Sequence, residues 1–425
     1  MIEKLFNTVG RKMMNKHIQF RESDNIIIPP YKKDSKLLLY VHIPFCQVLC
    51  TYCSFNRYKF QANEAKQYYT SLKKELKMYA DLGYKFESMY IGGGTPTIDM
   101  DALEEIVGTV QNLYPVKEIS METNPNHITD EYITRLQKMK VNRLSVGVES
   151  FDNKILKEMG RYEKYGSAEQ IKEQVKNVVG KFDTLNLDLI FNMPNQDRAS
   201  LEGDLDALEE IKPEQVTFYP LMSSSSTTHL VEKNIGKVDY NKEKEFYFQI
   251  LKRIRKEFTP ATAWCFSRNS TMVDEYIVEY DDYVGAGSGA FGFLNGLNYA
   301  NTFNLEEYTH MINQGRLPVF ASKQMNNFEQ NMYFMMMHLF GLEMKAENYK
   351  QKFGKDMFKS LMAELAVLKS IGAVNVNGDS VTLTDKGMYY MVMVMREFFI
   401  GVNNLRDFCR PSFEELGINT ECCAK

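Results

Sequence analysis

The feature that most constrains this 425-residue chain is a regular alternation of short apolar runs with longer amphipathic ones. Strands are predicted at residues 37–42, 88–91, 118–122, 143–148, 185–191 and 215–220. Between them, helices are predicted at residues 65–82, 101–113, 130–139, 167–179 and 201–211. Strands that alternate with helices over this length form a parallel sheet with the helices outside, either open or closed into a barrel. The fold class is therefore α/β.

Unusual polar residues stand where these predicted strands end. They are Cys46, Cys50 and Cys53 after the first strand, Gly92 to Pro96 after the second, Glu122 and Glu149 closing the third and fourth, Asp188 in the fifth and Tyr219 in the sixth. In a parallel barrel the carboxyl ends of all strands meet at one rim, where active sites are built. These residues are therefore expected to meet at one site.

The three clustered cysteines, spaced C-x3-C-x2-C, indicate a metal centre. A structural zinc site normally takes four N or S ligands, whereas three thiolates on a [4Fe–4S] cluster leave one iron open to another ligand. A zinc knuckle and a chance cluster stay open as alternatives. Seven cysteines in this length do not make a disulfide framework. The remaining four lie far from the triplet: Cys265, Cys409, Cys422 and Cys423.

The motifs YVHIPFCQVLCTYC, GGGTP, METNP, SVGVESFDNKILKEMGR and DLIFNMP resemble the radical S-adenosylmethionine (SAM) superfamily, in the branch of the oxygen-independent coproporphyrinogen III oxidases. The resemblance implies a partial (β/α)6 TIM-type barrel within residues 36–323, preceded by a helix and an extended segment in residues 1–35. Residues 324–425 resemble that branch's winged-helix-like α+β domain, followed by a tail. The implied cofactors are a [4Fe–4S] cluster and one or two SAM molecules. An electron donor of the flavodoxin or ferredoxin type is the implied protein partner.

The same resemblance implies roles for individual residues. Cys46, Cys50 and Cys53 would ligate the cluster, and the expected cofactor-binding residues are Tyr40, Tyr52, Gly93, Gly94, Thr95, Glu122, Glu149, Arg161 and Asp188. Tyr219, Trp264 and Arg268 are expected to line the substrate site. Plainer roles stay open: Glu122 and Arg161 as an ion pair, Asp188 as a helix cap, and Trp264 and Arg268 as core and surface residues.

Four departures from the motifs bear on the function. Glu149 replaces a glutamine, and an ionised carboxylate accepts hydrogen bonds but cannot donate them. Asn192 stands in a glycine's place in DLIFNMP. Phe55 occupies the position of the oxidases' fourth cysteine. Residues 272–276 contain no histidine where the related haem chaperones carry a haem ligand.

With these departures, the resemblance points to the class C radical SAM methyltransferases, a group that includes anaerobic haem-degrading enzymes. It implies a tetrapyrrole substrate, a 5′-deoxyadenosyl radical from one SAM, and methyl transfer from a second. Oxidation of coproporphyrinogen III and non-catalytic haem trafficking stay open as alternatives.

Charge and hydropathy argue against nucleic-acid and membrane partners. The formal net charge of −4 gives no electrostatic case for binding nucleic acid or an anionic membrane. No apolar run approaches the roughly 20 residues that span a bilayer. The first 20 residues read as an amphipathic helix rather than a signal peptide. The protein is therefore expected in the cytoplasm, and the winged-helix-like region is not expected to bind DNA.

Overall fold

The computed structural model describes residues 21–22, 26–32, 36–50, 52–268, 280 and 282–409. The strands are β1 Arg21–Glu22, β2 Leu37–Ile43, β3 Phe45–Cys46, β4 Tyr58–Lys59, β5 Ser88–Gly93, β6 Glu118–Thr123, β7 Arg143–Glu149, β8 Thr184–Phe191, β9 Gln215–Pro220, β10 Thr259–Pro260, β11 Cys265–Ser267, β12 Asp282–Ala286, β13 Phe291–Leu294, β14 Leu297–Asn301, β15 Val319–Gln324, β16 Glu343–Lys345, β17 Val374–Asn377 and β18 Ser380–Leu383. The helices are α1 Ala62–Asp81, α2 Met100–Leu113, α3 Asp130–Lys138, α4 Asn153–Glu158, α5 Tyr162–Tyr165, α6 Ala168–Lys176, α7 Arg198–Ile211, α8 Ser225–Asn234, α9 Tyr240–Ile254, α10 Leu305–Asn313, α11 Asn327–Phe340, α12 Ala346–Phe353, α13 Met357–Ser360, α14 Met362–Ser370 and α15 Asp385–Cys409.

A 13-stranded sheet organises the molecule, in the order β1-β15-β14-β13-β12-β2-β5-β6-β7-β8-β9-β11-β10. The stretch from β12 to β9 is parallel throughout. The six strands predicted from the sequence are β2, β5, β6, β7, β8 and β9, and they lie side by side in chain order. In the part of the chain that the structure describes, the sheet stays open, because β1 and β10 form its two edges. The predicted α/β fold with a partial six-strand barrel is therefore confirmed.

The parallel strands read as apolar runs because they are buried on both faces. All of β5 is buried, and only Tyr40 of β2 is partly exposed. On the outside, α1 packs Leu72, Leu76 and Tyr79 into the same core. The sheet therefore holds its strand ends in fixed relative positions, as a site at that edge requires.

Beyond residue 324, the sequence predicts helices followed by a hairpin. The hairpin is present as β17 and β18, which pair antiparallel, and β16 adds a third strand. The long helix α15 then returns to the barrel: Arg255, which follows the last residue of α9, pairs with Asp385 at 2.6 Å. Buried Arg396 of α15 contacts buried Glu243 of α9. The boundary at 323/324 stays a prediction.

One stretch folds differently from what its composition suggests. Residues 223–229 (SSSSTTH) have the polar composition of a loop, but helix α8 starts within them, because Ser224 and Thr227 form a reciprocal capping box. Val231 of that helix is buried in a small apolar cluster with Tyr52. The helix expected near the N-terminus lies outside the described residues, and the short strand β1 pairs with β15.

No helix among the described residues is both long and apolar enough to cross a membrane. The longest, α15, carries charged residues along its length.

Burial of Glu75 makes the stability of the folded state depend on pH. It is fully buried on α1 and accepts hydrogen bonds from the Gly287 N–H (2.8 Å), Tyr308 (2.6 Å) and Asn301 (3.2 Å). Burial raises its pKa from 4.5 to about 7. Because the folded state keeps a proton that the unfolded state has lost, stability should fall as pH rises from about 4.5 to about 7, by about 1.4 kcal/mol per pH unit.

The check is thermal unfolding of the wild type and of Glu75→Gln between pH 5 and pH 8. Glutamine keeps the side-chain shape without the titration, so the variant should show a shallower decline in melting temperature. Some decline should persist, because burial also raises the pKa of Asp204 to about 7. Parallel profiles for the two proteins would contradict the assignment.

Candidate active site

The three cysteines lie on a loop whose two ends pair as short strands and whose backbone is bridged by Arg57, a contact called the Arg57 staple below. Strands β3 and β4 pair, and the Phe60 N–H donates to the Cys46 carbonyl at 2.9 Å. The Arg57 guanidinium donates to the carbonyls of Cys50 (2.5 Å) and Cys53 (2.6 Å). Arg57 is only 9% exposed, so these two bonds form in a partly dehydrated setting. Arg57 thereby links the backbone of the second and third cysteines.

Several groups act on the cysteine thiols. Thr95 donates to the sulfur of Cys46 at 3.6 Å, and Lys164 of α5 donates to the sulfur of Cys50 at 3.5 Å. Burial raises the pKa of Cys46 to about 11. Burial alone would also raise the pKa of Cys50, but the cations Arg161, Lys164 and Arg57 lower it. The positive charge near Cys50 thus favours its thiolate form.

The glycine turn after β5 packs against Glu122. The Gly93 N–H donates to one Glu122 oxygen at 3.1 Å, and the Tyr90 hydroxyl donates to the other at 2.9 Å. A Cβ on Gly92 would lie 2.8 Å from the same carboxylate. Gly93 has φ +119°, which favours glycine, and a Cβ on Gly94 would strike the backbone of Phe45 at 2.6 Å. Three glycines are therefore needed to bring backbone, carboxylate and cysteine loop together.

Glu149, Arg161 and Tyr52 form a second polar group beside the cysteines. Tyr52 donates to Glu149 at 3.2 Å and accepts from Arg161 at 3.0 Å, while Arg161 lies 3.5 Å from Glu149. Glu149 has φ +71°, and the register of β7 against β8 shifts between Gly147 and Glu149. Burial raises the pKa of Glu149, although Arg161 opposes that shift. Glu149 and Arg161 thus lie close enough to form an ion pair beside the cysteines.

Asp188 is held by a polar network inside the barrel. Its two oxygens accept from Ser145 at 2.7 Å and from Asn186 at 2.8 Å. Asn186 also accepts from Thr217 at 3.1 Å. Asp188 therefore does not act as a helix cap. Asn192, which follows β8, has φ +63°; asparagine is one of the few residues other than glycine that adopt this conformation readily.

Tyr40 and the turn Gly285–Ala290 lie on the other side of the cysteine loop. The Tyr40 hydroxyl lies 2.9 Å from His42 Nδ1, and its ring stacks on Tyr90 at 6.1 Å. Strand β12 places the turn beside β2, where Asn56 donates to the Ser288 carbonyl at 3.1 Å. The sequence analysis did not predict β12, which brings this glycine-rich turn to the same edge as the cysteines.

Two of the residues expected to line the substrate site, Tyr219 and Trp264, lie in different environments. Tyr219 ends β9 at the site edge and is partly exposed. Trp264 is completely buried, with its ring 4.8 Å from Phe340 and 5.8 Å from Phe399, so it is a core residue.

The expectation for Arg268 is corrected. Strand β11 runs antiparallel to β9, which carries Arg268 beyond the amino end of β9. There it pairs with Glu257 at 3.3 Å and donates to the Lys212 carbonyl at 3.1 Å. Five residues of strand, about 17 Å, separate that level from Tyr219. Arg268 therefore does not line this site.

Two site residues were not predicted from the sequence: Arg57 and Lys164. Arg57 follows the last cysteine by four positions, which was the only local signal. Lys164 reaches Cys50 only because α5 folds over the loop. Neither contact follows a repeating sequence pattern.

Comparison with known proteins identifies this architecture. The family model described as the radical SAM superfamily matches residues 40–208. The chain carries a radical SAM domain. That match contains the three cysteines, the glycine turn, Glu122, Glu149, Arg161 and Asp188.

The similarity to known proteins extends beyond this domain over most of the chain. The heme chaperone HemW of Bacillus subtilis is 25% identical over 367 residues, covering 82% of this chain and 95% of the relative. The anaerobilin synthase of Escherichia coli O157:H7 is 28% identical over 316 residues, covering 70% and 69%. The structure of coproporphyrinogen III oxidase (HemN) from Escherichia coli superimposes with a TM-score of 0.71 at 20% identity, covering 85% of this chain and 90% of that one. The last match supports the fold alone.

The radical SAM superfamily implies a [4Fe–4S] cluster and SAM, and the residues present fit both. The three thiols are free of disulfides, partly exposed, and all subject to the charge of Arg57. No three His, Cys, Asp or Glu side chains in the described ranges are gathered around a single-ion position. Three thiols on one loop match the three protein ligands that leave one iron of a [4Fe–4S] cluster open. Arg161, whose Nε is buried without a partner, suits an anionic group.

Removing the Arg57 staple is expected to weaken cluster retention. Arg57→Met leaves the Cys50 and Cys53 carbonyls without their donor, and losses of this kind beside a metal site typically cost 10–100-fold in affinity. The measurement is iron per protein after anaerobic reconstitution and desalting. Arg135→Met is the matched control. Arg135 lies on α3, away from the loop, and pairs with Glu104 of α2 at 2.8 Å. Equal iron content in both variants would contradict the claim that Arg57 helps the loop to retain the cluster.

Proposed function

We propose that this protein is a radical SAM enzyme that transfers a methyl-derived carbon from a second SAM to a tetrapyrrole. The observation that carries the proposal is that two separate carboxylate groups flank one cysteine loop. Glu122 bonds to Tyr90 and to Gly93 of the glycine turn, whose Thr95 reaches the Cys46 sulfur, and Glu149 bonds to Tyr52 of the cysteine loop, which also accepts from Arg161. Each is a partly buried, hydrogen-bonded carboxylate of the kind that binds a zwitterionic ligand.

The residues divide the binding work as follows. Cys46, Cys50 and Cys53 would hold the cluster. Gly93, Gly94 and Glu122 would hold the amino group of the first SAM, because a carboxylate whose two oxygens already face fixed donors is oriented before the ligand arrives. The remaining residues would bind ribose hydroxyls or carboxylates of either SAM: Glu149, Arg161 and Asp188.

When bound, the cluster and two SAM molecules would supply radical chemistry that adds a methyl-derived carbon to an sp² carbon of the substrate. The chain's own contribution is alignment and exclusion of water. The capped start of α8 contacts the loop through Ser54, whose hydroxyl lies 3.0 Å from that of Thr227. Arg406 of α15 stacks over the ring of Phe55 at 5.0 Å. Two helices thus cover the cysteine loop from one side.

A tetrapyrrole substrate is supported by the relatives, whose names refer to heme or coproporphyrinogen. Phe55, at the position of the oxidases' fourth cysteine, is 45% exposed and offers an apolar ring beside the loop. The exposed ring favours a flat ligand. The absence of the oxidases' fourth cysteine argues against oxidative decarboxylation. The second candidate is a heme chaperone without SAM turnover, favoured by a relative that aligns over 95% of its length. The segment 272–276, which bears on that candidate, lies outside the described residues.

The test is an anaerobic assay of reconstituted, reduced protein with methyl-deuterated SAM and either haem or coproporphyrinogen III. Methyl transfer predicts substrate-dependent S-adenosylhomocysteine together with 5′-deoxyadenosine that carries deuterium. Unlabelled 5′-deoxyadenosine alone, with coproporphyrinogen consumed, would replace the proposal with the oxidase reaction. Tight haem binding with no substrate-dependent nucleoside would replace it with the chaperone.

A further inference from the structure

Lys164 is the cation placed directly at a cysteine sulfur of the loop. Its Nζ lies 3.5 Å from the Cys50 sulfur, and its side chain is only partly exposed. It belongs to the four-residue helix α5, which begins immediately after Arg161. The Arg161 guanidinium lies over the Tyr165 ring at 4.3 Å, which anchors that short helix at both ends. Helix α5, held by this contact, thus places Lys164 beside the Cys50 sulfur.

The other basic groups nearby bond mainly to oxygen atoms or lie over aromatic rings. Arg57 binds carbonyl oxygens of the loop, and Arg161 binds Tyr52 and the Gly147 carbonyl. Lys157, on the neighbouring α4, lies over the Tyr162 ring at 4.6 Å. Lys164 donates to the sulfur of Cys50 at 3.5 Å, whereas Arg57 acts on the Cys53 side chain and Arg161 and Lys157 bind other groups.

We propose that Lys164 raises the reduction potential of the iron–sulfur cluster by donating a charged hydrogen bond to the sulfur of Cys50. Reduction moves one electron from a low-potential one-electron donor to the cluster, whose charge falls from 2+ to 1+, with no bond made and no proton moved. An ammonium group beside a ligand sulfur stabilises the more negative, reduced state. Hydrogen bonds to sulfur are an established determinant of cluster potential. Lys164 is therefore a positioning and tuning residue and takes no part in bond making.

The inference rests on the proposed function, because it requires the cluster on these cysteines. The experiment is a dithionite redox titration of the reconstituted protein, followed by electron paramagnetic resonance, for wild type, Lys164→Met, Lys164→Gln and Lys164→Arg. The reduced-to-oxidised ratio at a fixed solution potential should fall about fivefold in Lys164→Met, the size expected for one hydrogen bond. Lys164→Gln should fall less, and Lys164→Arg should stay near wild type.

Lys157→Met is the matched control, because it removes the same charge from the adjacent helix without touching a sulfur. If Lys164→Met retains no cluster, the glutamine variant carries the comparison. Equal potentials in wild type and in the glutamine and methionine variants would overturn the inference, as would an equal shift in Lys157→Met. Absence of a cluster signal in the wild type would instead overturn the proposed function.

Discussion

Cys50→Ser is expected to leave a folded protein that neither retains iron after reconstitution nor cleaves SAM above the protein-free background. Serine is close in size, so the loop closed by the β3–β4 pair should persist, while the soft thiolate ligand is lost. Nearby cations also lower the pKa of Cys50, so its loss removes a ligand that is disposed to ionise. Iron content and 5′-deoxyadenosine formation measure the effect.

The matched control is Cys265→Ser, since Cys265 carries a thiol buried in β11, away from the loop. It should keep its iron, although burial of a hydroxyl can lower its stability. Full iron content and SAM cleavage in Cys50→Ser would contradict the assignment of the three cysteines.

Arg396→Ala should destabilise the fold by about 3–5 kcal/mol, because it leaves a buried carboxylate without its cation. Arg396 is 2% exposed, contacts Glu243 (1% exposed) at 2.5 Å and Glu397 at 3.0 Å, and lies over the Tyr240 ring at 4.5 Å. This contact fastens α15 to α9. Denaturant unfolding at pH 7 measures the loss.

The triple variant Arg396→Met, Glu243→Met and Glu397→Met provides the control. It replaces the cation and both of its buried carboxylate partners with apolar side chains, and such replacements are often neutral. It should recover most of the stability lost in Arg396→Ala. A triple variant as unstable as Arg396→Ala would show that the loss comes from packing rather than from unpaired charges.

The central sheet was predictable because its strands are buried on both faces and carry long apolar runs. Residues 143–149 and 215–220 show this directly: both were predicted within one residue of the observed strands. The meeting of Glu122, Glu149 and Asp188 at one edge followed from parallel strand direction.

What the sequence left open depends on contacts between distant segments. Strand β12 is five residues long and contains a glycine, so its local signal is weak. Arg268 was placed wrongly because only the antiparallel pairing of β11 with β9 decides which end of the sheet it reaches. Lys164 is 114 positions from Cys50, and nothing local links them.

The most direct test of the account is the electron paramagnetic resonance spectrum of anaerobically reconstituted, dithionite-reduced protein, recorded with and without SAM. Three cysteines on a four-iron cluster leave one iron for an external ligand. The account therefore predicts a reduced-cluster signal that changes when SAM is added. A colourless protein that binds one zinc, or a cluster spectrum indifferent to SAM, would contradict it.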